Sequence, residues 1–468
     1  MSEIDPYATI AELHRAYRAR ELSPVDVIDA HLSREDRFEP KLKAYVTRYS
    51  DEAREKSQVA AQGFDAGDDL PPLAGVPIAL KDLVDMEGRV TSGGSPEREK
   101  RVSRSTAVIA ERLITAGAIV PGKTHTVEMA TGGWGTNEHL GAPWNPWDQE
   151  THRTPGGSSS GSGVSIAAGY CPGAIGTDTG GSVRLPAAWC GHVGLKVTEG
   201  TLPTEGILPL SSTLDTPGPM TRSVDDALLM FEILRGVDPA QVGAQISGGA
   251  GPFAEIREPI SGLTLAVLTD EERGDVDREM LNAFDKAVDD LADLGANIVV
   301  KGVPKEWDGF STPTVQLIIA YEGYRFNKEI IDNDDAKMDQ WVKRRLVPGR
   351  SEFDDDMYRA TLDQRAIDLA EFARQFENVD AILTPSTLTP AIPLNEVDEY
   401  GSPARFTRAA NYLALCSLAI PNGFTEAGLP TSLMITCHGG QELTALRIGN
   451  AYEASHDWAK RHPAGLEA

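Results

Sequence analysis

Apolar positions in this chain fall in short runs separated by longer stretches of helical spacing, the pattern of a layered α/β protein. Residues 7–60 mix apolar and charged positions at helical spacing and predict helices. Within them Ser23-Pro24-Val25-Asp26 reads as a helix start: serine as cap, proline in the first turn, and a carboxylate three residues after the cap. LAGVPIAL at 73–80 follows a Pro-Pro break and predicts a buried strand or its entry turn. Residues 105–116 predict a helix, 118–121 a strand, 164–169 the start of a helix of small residues, and 174–175 the start of a further strand. LTLAVLT at 263–269 predicts a strand, 276–294 an amphipathic helix and 297–300 another strand. From about 305 to 380 the pattern is mostly helical and richer in charge and aromatics, and 381–384 is strand-like. From 406 on it gives a helix, a hydrophobic turn, a strand at SLMIT and a final helix over 441–460. There is no internal repeat and no separating low-complexity segment, so the expectation is one large unit over 1–468.

Composition adds exclusions. With 468 residues, 41% hydrophobic and 24% charged, the chain can bury a large core. A net charge of −26 argues against nucleic acid and anionic membrane as partners. The four cysteines, 171, 190, 416 and 437, have small or apolar neighbours and no C-x-x-C spacing, which suits free thiols in a reducing compartment. Cys190 with His192 and Cys437 with His438 lack the spacing of a ligand set, so no metal is expected. The first twenty residues hold no signal-peptide apolar region, and a cytoplasmic location is expected. The uncharged run 154–177 is long enough to cross a bilayer, but its seven glycines and two prolines place it inside protein.

That run begins TPGGSSSGSG. Apolar segments on both sides argue against a flexible linker, and no lysine follows the glycines as a phosphate-binding loop requires. Gly157-Ser158-Ser159-Ser160-Gly161 fits G-x-S-x-G, which would make Ser159 a nucleophile, but that elbow needs a preceding strand and NPWDQETHRTP does not read as one. A second loop, GTDTGGSVRLP at 176–186, offers a Gly-Gly-Ser whose N–H groups can converge on one point and whose Ser182 can attack a carbonyl. Asp178 and Arg184 flank it as a loop-bracing pair. A serine nucleophile needs a base. His125, His152 and His192 are candidates, and Lys81, at the end of the apolar run GVPIAL, is the alternative. A strand-end lysine reaching back to water fits the same position.

GVPIALKDLVD, TPGGSSSGSGVSIAAG and GTDTGGSVRLPAAWCG, in this order and spacing, resemble the three core segments of the amidase signature family. KTHTVEMATGGWGTNEHLGAPWNPWD, ILTPSTLTPAIPL and ANYLALCSLAIPNGFTEAGLPTSLMI continue the resemblance, which is weakest between about 225 and 375. It implies an α/β/α sandwich around a large mixed β-sheet, with N-terminal helices at about 7–60 and a variable, mostly helical, substrate-shaping region at about 305–380. It implies a Ser–cis-Ser–Lys triad: Ser182 as nucleophile, Ser158 as the bridging serine after a cis peptide, and Lys81 as base. Backbone N–H groups of Thr179, Gly180, Gly181 and Ser182 correspond to the family's oxyanion hole.

The implied activity is hydrolysis of a small or aryl amide, with esters and carbamates open to the same acyl-enzyme chemistry. The alternative is the glutaminase subunit of a tRNA-dependent amidotransferase. The expected partner is the small-molecule substrate; a homodimer is compatible with the chain, and no cofactor is expected. Segment 130–134, with Thr131, Gly132 and Trp134, is expected to line the acyl pocket, and Trp307, Phe310, Tyr321, Tyr324 and Trp341 its outer wall. Two departures from the family pattern stand out: Leu83 follows Asp82 where asparagine is frequent, and Ser160 stands where glycine is frequent.

Overall fold

The structure is a computed structural model that describes residues 4–303, 307 and 314–466. Its centre is one sheet of eleven strands. In chain order these are β1 (Tyr45–Arg48), β2 (Ile78–Lys81), β3 (Gly122–Thr124), β4 (Gly173–Asp178), β5 (Val193–Lys196), β6 (Thr216–Thr221), β7 (Thr264–Val267), β8 (Asn297–Val300), β9 (Ala381–Pro385), β10 (Cys416–Phe424) and β11 (Pro430–Cys437). Across the sheet they lie in the order β1-β3-β2-β4-β6-β5-β10-β11-β9-β7-β8. Strands β3, β2 and β4 are mutually parallel, as are β9, β7 and β8. The run from β4 through β6, β5, β10 and β11 to β9 is antiparallel. The sheet is therefore mixed, with helices packed against it in an α/β/α sandwich.

Side-chain alternation divides the core into two layers. Ile78 and Leu80 of β2, Leu265 and Val267 of β7, and Leu433 and Ile435 of β11 all join one large apolar cluster. Their strand neighbours Ala79, Ala266 and Met434 point into separate clusters on the other face. The first face is covered by amphipathic helices. In Arg278–Asp293, Met280, Phe284, Ala287 and Leu291 are buried, and Asp277 caps the helix by accepting from Glu279 N at 2.8 Å. Each large apolar side chain so buried contributes about 1.5–3 kcal/mol. The second face is different near β2 and β4. There the strand residues are small, Ala79, Ala174 and Gly176, and a helix of glycines and serines, Ser160–Ala167, packs against them.

Several elements differ from the sequence expectation. The 7–60 stretch is three helices, Ile10–Arg18, Pro24–Leu42 and Ser50–Ala66, interrupted by β1. Lys43, in the left-handed region at φ 52°, ends the second helix. Strand β1 is four residues at the sheet edge and only partly buried, so it leaves no apolar run. The strand expected at 118–121 forms at Gly122–Thr124, and Ile119 makes only an isolated bridge to Pro77. The hydrophobic turn expected between the helix that follows 406 and the strand at SLMIT is β10, whose Pro421 sits at a bulge. The segments at 263–269, 276–294, 297–300 and 381–384 form the expected elements. Among the described residues no helix is long and apolar enough to cross a membrane.

Candidate active site

Lys81 ends β2 and follows the parity of Ala79, which puts it on the face covered by the Gly/Ser helix. That helix can approach because glycines face the neighbouring backbone. A Cβ on Gly161 would collide with Ala44 O and His125 N, and one on Gly163 would lie 2.9 Å from Pro186 Cβ. The serines satisfy polar groups that this contact buries. Ser162 Oγ pairs with Thr124 Oγ1 at 2.8 Å and donates to Ile175 O at 3.1 Å. Ser160 Oγ lies 2.9 Å from His125 Nδ1. Ser159 Oγ lies 3.3 Å from both the N and the O of Thr177. TPGGSSSGSG is thus a buried, cross-stitched turn, not a spacer. Ser159 is fully buried and occupied by the β4 backbone, which removes the geometric basis for it as a nucleophile.

The first serine of the run is placed differently. The Gly157–Ser158 peptide is cis, and Lys81 Nζ lies 2.8 Å from Ser158 Oγ and 2.8 Å from Thr177 Oγ1. Lys81 is fully buried. Burial pushes its pKa down to about 7, against the opposing pull of the Asp215 and Asp178 charges. The histidines are elsewhere: His125 reaches Ser160 and Gly141 O, His152 reaches Pro143 O and His192 reaches Val193 O. Among the described residues none hydrogen-bonds to Ser158 or Ser182.

Ser182 sits at the end of the loop after β4. It is 8% exposed and lines a cavity of about 1060 Å³. Its hydroxyl has no hydrogen-bond partner among the described residues, Ser158 included; its carbonyl accepts from Ser159 N at 3.4 Å. The loop is held by a buried pair, Asp178 and Arg184, with Nη2 2.9 Å from Oδ1. Arg184 also donates to Asn411 Oδ1 at 2.7 Å, and Asn411 Nδ2 donates to the Asp178 carbonyl at 3.0 Å. Although burial pushes the Asp178 carboxyl up, the Arg184 charge and hydrogen bonds hold it well below the usual carboxylate range. The Gly181 N–H donates to Asp178 Oδ1 at 2.7 Å and the Val183 N–H to Oδ2 at 3.1 Å. The N–H groups of Thr179, Gly180 and Ser182 have no internal acceptor among the described residues. Gly181, at φ 133°, has no room for a side chain, because a Cβ would strike the Thr407 hydroxyl.

Two supporting residues escaped the sequence reading. Asp215 is half-buried next to Thr179 and accepts from Leu210 N at 2.8 Å, Ser211 N at 2.9 Å and the Thr179 hydroxyl. Burial pushes its carboxyl up to about 6. Its signal was present: it is the one charged residue between Glu205 and Arg222. Asn411 comes from a short helix, Arg408–Tyr412, and nothing local marked it.

Thr131 and Gly132 line the cavity with Ala130 and Gly133. Met129 and Ala130, at φ 52° and 59°, are left-handed although neither is glycine, and Met129 N is held by Gly93 O at 2.8 Å. Trp134 does not line the cavity; its ring stacks on Trp189 at 5.5 Å. The outer wall also differs from expectation. Trp307 is buried in a core cluster, Tyr321 stacks on Tyr358 at 4.1 Å, Tyr324 reaches Asp332, and Trp341 meets Tyr400 edge-on at 4.9 Å. Phe310 lies outside the described residues. The helical region supplies Gln316, Ile319, Arg344 and Arg345 to the wall instead.

The Amidase family model matches residues 26–446. A 2-amino-5-chloromuconic acid deaminase from Comamonas testosteroni is 37% identical, over 96% of this chain and 96% of the relative. A glutamyl-tRNA(Gln) amidotransferase subunit from Carboxydothermus hydrogenoformans is 33% identical, over 98% of this chain and 99% of the relative. The native peptide amidase of Stenotrophomonas maltophilia is 27% identical and superposes with a TM-score of 0.83, covering 99% of this chain and all of its own. With most of its length matched by that family model, the chain belongs to the amidase signature family.

Proposed function

We propose that the chain is a stand-alone amidohydrolase that cleaves the C–N bond of a small amide through an acyl-enzyme on Ser182. The observation that carries this reading is the buried Lys81 Nζ, 2.8 Å from Ser158 Oγ, beside a serine that opens on a cavity. With its pKa down at about 7, Lys81 is neutral in much of the population at neutral pH and can accept a proton. Neutral Lys81 takes the proton of Ser158, and Ser158 takes that of Ser182 as its oxygen attacks the amide carbonyl. The N–H groups of Thr179, Gly180 and Ser182 receive the oxyanion, each such donor being worth about 10²–10³ in rate in other hydrolases. The Gly181 N–H is committed to Asp178 and acts by fixing the loop. Collapse expels the amine, which receives the relayed proton. Water then attacks the ester carbon by the reverse route, returning Ser182 and releasing the acid. Esters and carbamates, including urethanes, fit the same steps.

A second reading is the glutaminase component of a tRNA-dependent amidotransferase, supported by the 33% identity to the amidotransferase relative over nearly the whole length. The 37% identity to a deaminase of an amino-substituted muconic acid, and a net charge of −26, favour an enzyme acting alone on a small molecule. Kinetics on amides, anilides and carbamates with the purified chain separate the two. Turnover of an anilide by the chain alone is expected; glutaminase activity that requires partner proteins would establish the second reading.

A further inference from the structure

The helix Val315–Ile331 lends Gln316 and Ile319 to the wall of the cavity in front of Ser182. Glu322 stands one turn beyond Ile319 and is only 3% exposed. Its carboxylate accepts from the hydroxyls of Ser211, Ser212, Thr213 and Tyr358 and from the Thr213 N–H, with Ser212 Oγ at 3.1 Å and Thr213 N at 3.2 Å. All but Tyr358 belong to one turn, 210–215. A buried carboxylate is costly without its donors, so this set of bonds fixes the turn against the helix.

The turn holds the nucleophile loop in the same way. Asp215 accepts from Leu210 N and Ser211 N through Oδ2, and from the Thr179 hydroxyl through Oδ1. Ser211 is the joint between the two carboxylates. Its hydroxyl donates to Glu322 and accepts the Leu214 N–H at 3.1 Å, while its own N–H donates to Asp215 at 2.9 Å. Packing does not fix the turn on every side. Leu210, Ser211, Ser212 and Asp215 line a second cavity of about 270 Å³, which Thr179 also borders. The position of Thr179 therefore depends on the polar chain from Glu322 through Ser211 and Asp215.

We infer that Glu322 is a positioning residue for the reaction: it anchors the 210–215 turn to the cavity-wall helix, and the turn, through Asp215, holds Thr179 with its N–H at the oxyanion position. The inference rests on the amidohydrolase reading, which supplies the oxyanion. Glu322 lines neither cavity and touches no substrate. Its contribution falls on the transition state, in which the carbonyl oxygen becomes charged, and not on binding of the uncharged amide.

Trifluoroacetophenone separates this role from a merely structural one. Ser182 adds to its ketone carbon, the carbonyl electron pair moves to oxygen as an oxyanion, and the serine proton passes to the Ser158–Lys81 relay. The matching phenyl trifluoromethyl carbinol fills the same space and forms no adduct. Fluorine NMR measures binding of both. Glu322→Gln keeps the shape and turns an accepting oxygen into a donor. It is expected to weaken the ketone at least about 10-fold and the carbinol less than about twofold. In a Thr179→Val background, which already lacks the link to Asp215, adding Glu322→Gln is expected to cost the ketone less than about twofold more. Should Glu322→Gln fail to fold, Ser211→Ala, which cuts the joint without adding bulk, is expected to show the same split. Ketone and carbinol weakened equally, a ketone affinity within about twofold of the parent, or losses that simply add in the Thr179→Val background overturn the inference. No adduct with the unmodified chain would instead sink the amidohydrolase reading on which the inference rests.

Discussion

Acidification tests the buried lysine. Lys81 has its pKa pushed from 10.5 down to about 7, because burial outweighs the attraction of Asp215 and Asp178. At pH 7 about half the molecules then carry neutral Lys81, whereas a lysine left at 10.5 would be neutral in about 3 of 10,000. Burial therefore raises the population of the base form on the order of 1,000-fold. The expected profile of kcat/KM for a small anilide, followed from pH 5 to 9, is a rise with a midpoint near 7. Asp215, pushed up to about 6, protonates within the same range and removes a charge that favours Lys81⁺, so Asp215→Asn is expected to move the midpoint to lower pH. The stability linkage has the matching sign. The unfolded chain holds this proton and the folded chain does not between about pH 7 and 10.5, so Lys81 makes folding more favourable as pH rises through that window. A midpoint near 10, or an unchanged limb in a Lys81→Ala variant that retains activity, would remove Lys81 as the base.

The Asp178 carboxylate receives five hydrogen bonds, from Gly181 N, Val183 N, Arg184 Nε and Nη2, and Asn411 Nδ2. Breaking that buried pair with Asp178→Ala is expected to lower stability by about 3–5 kcal/mol, read from the urea midpoint. Because the folded carboxyl is held below its usual range, this stabilisation is present above about pH 4 and is lost only as pH falls through the lower folded value. Ser159→Ala removes a hydroxyl bound to the β4 backbone and is expected to cost about 1 kcal/mol while acylation persists; loss of acylation with intact folding would restore Ser159 as a candidate nucleophile. Gly161→Ala drives a methyl into Ala44 O and His125 N and is expected to lower the melting temperature and the soluble yield; a variant as stable as the parent would contradict the close helix approach.

Legibility in the sequence followed the strength of local pattern. The 276–294 helix was readable because its apolar residues recur on one face and Asp277 caps it. Strand β8 was readable from an apolar run bounded by a glycine on each side. Strand β6, TPGPMT, was not, because two prolines argue against a central strand even though this one pairs on both sides. The site divides in the same way. Ser158 and Ser182 lie in glycine-rich loops inside or just after a long uncharged run, which marks them locally. Lys81 alone reads as a strand end; its meeting with Ser158 joins segments far apart in the chain and was suggested only through the resemblance. Asn411 and Arg408 reach the nucleophile loop from near the end of the chain, a juxtaposition made by the sheet order and not by any local motif. Trp134 shows the converse: a conspicuous aromatic beside the cavity segment turned out to stack on Trp189.

The central claim is that Ser182, and not a serine of TPGGSSSGSG, becomes acylated. Intact-mass and peptide-mapping analysis after reaction with a fluorophosphonate tests it directly. The account predicts one adduct per chain, located on Ser182 and absent from the Ser182→Ala variant. An adduct on Ser159, or labelling that persists in Ser182→Ala, would contradict it.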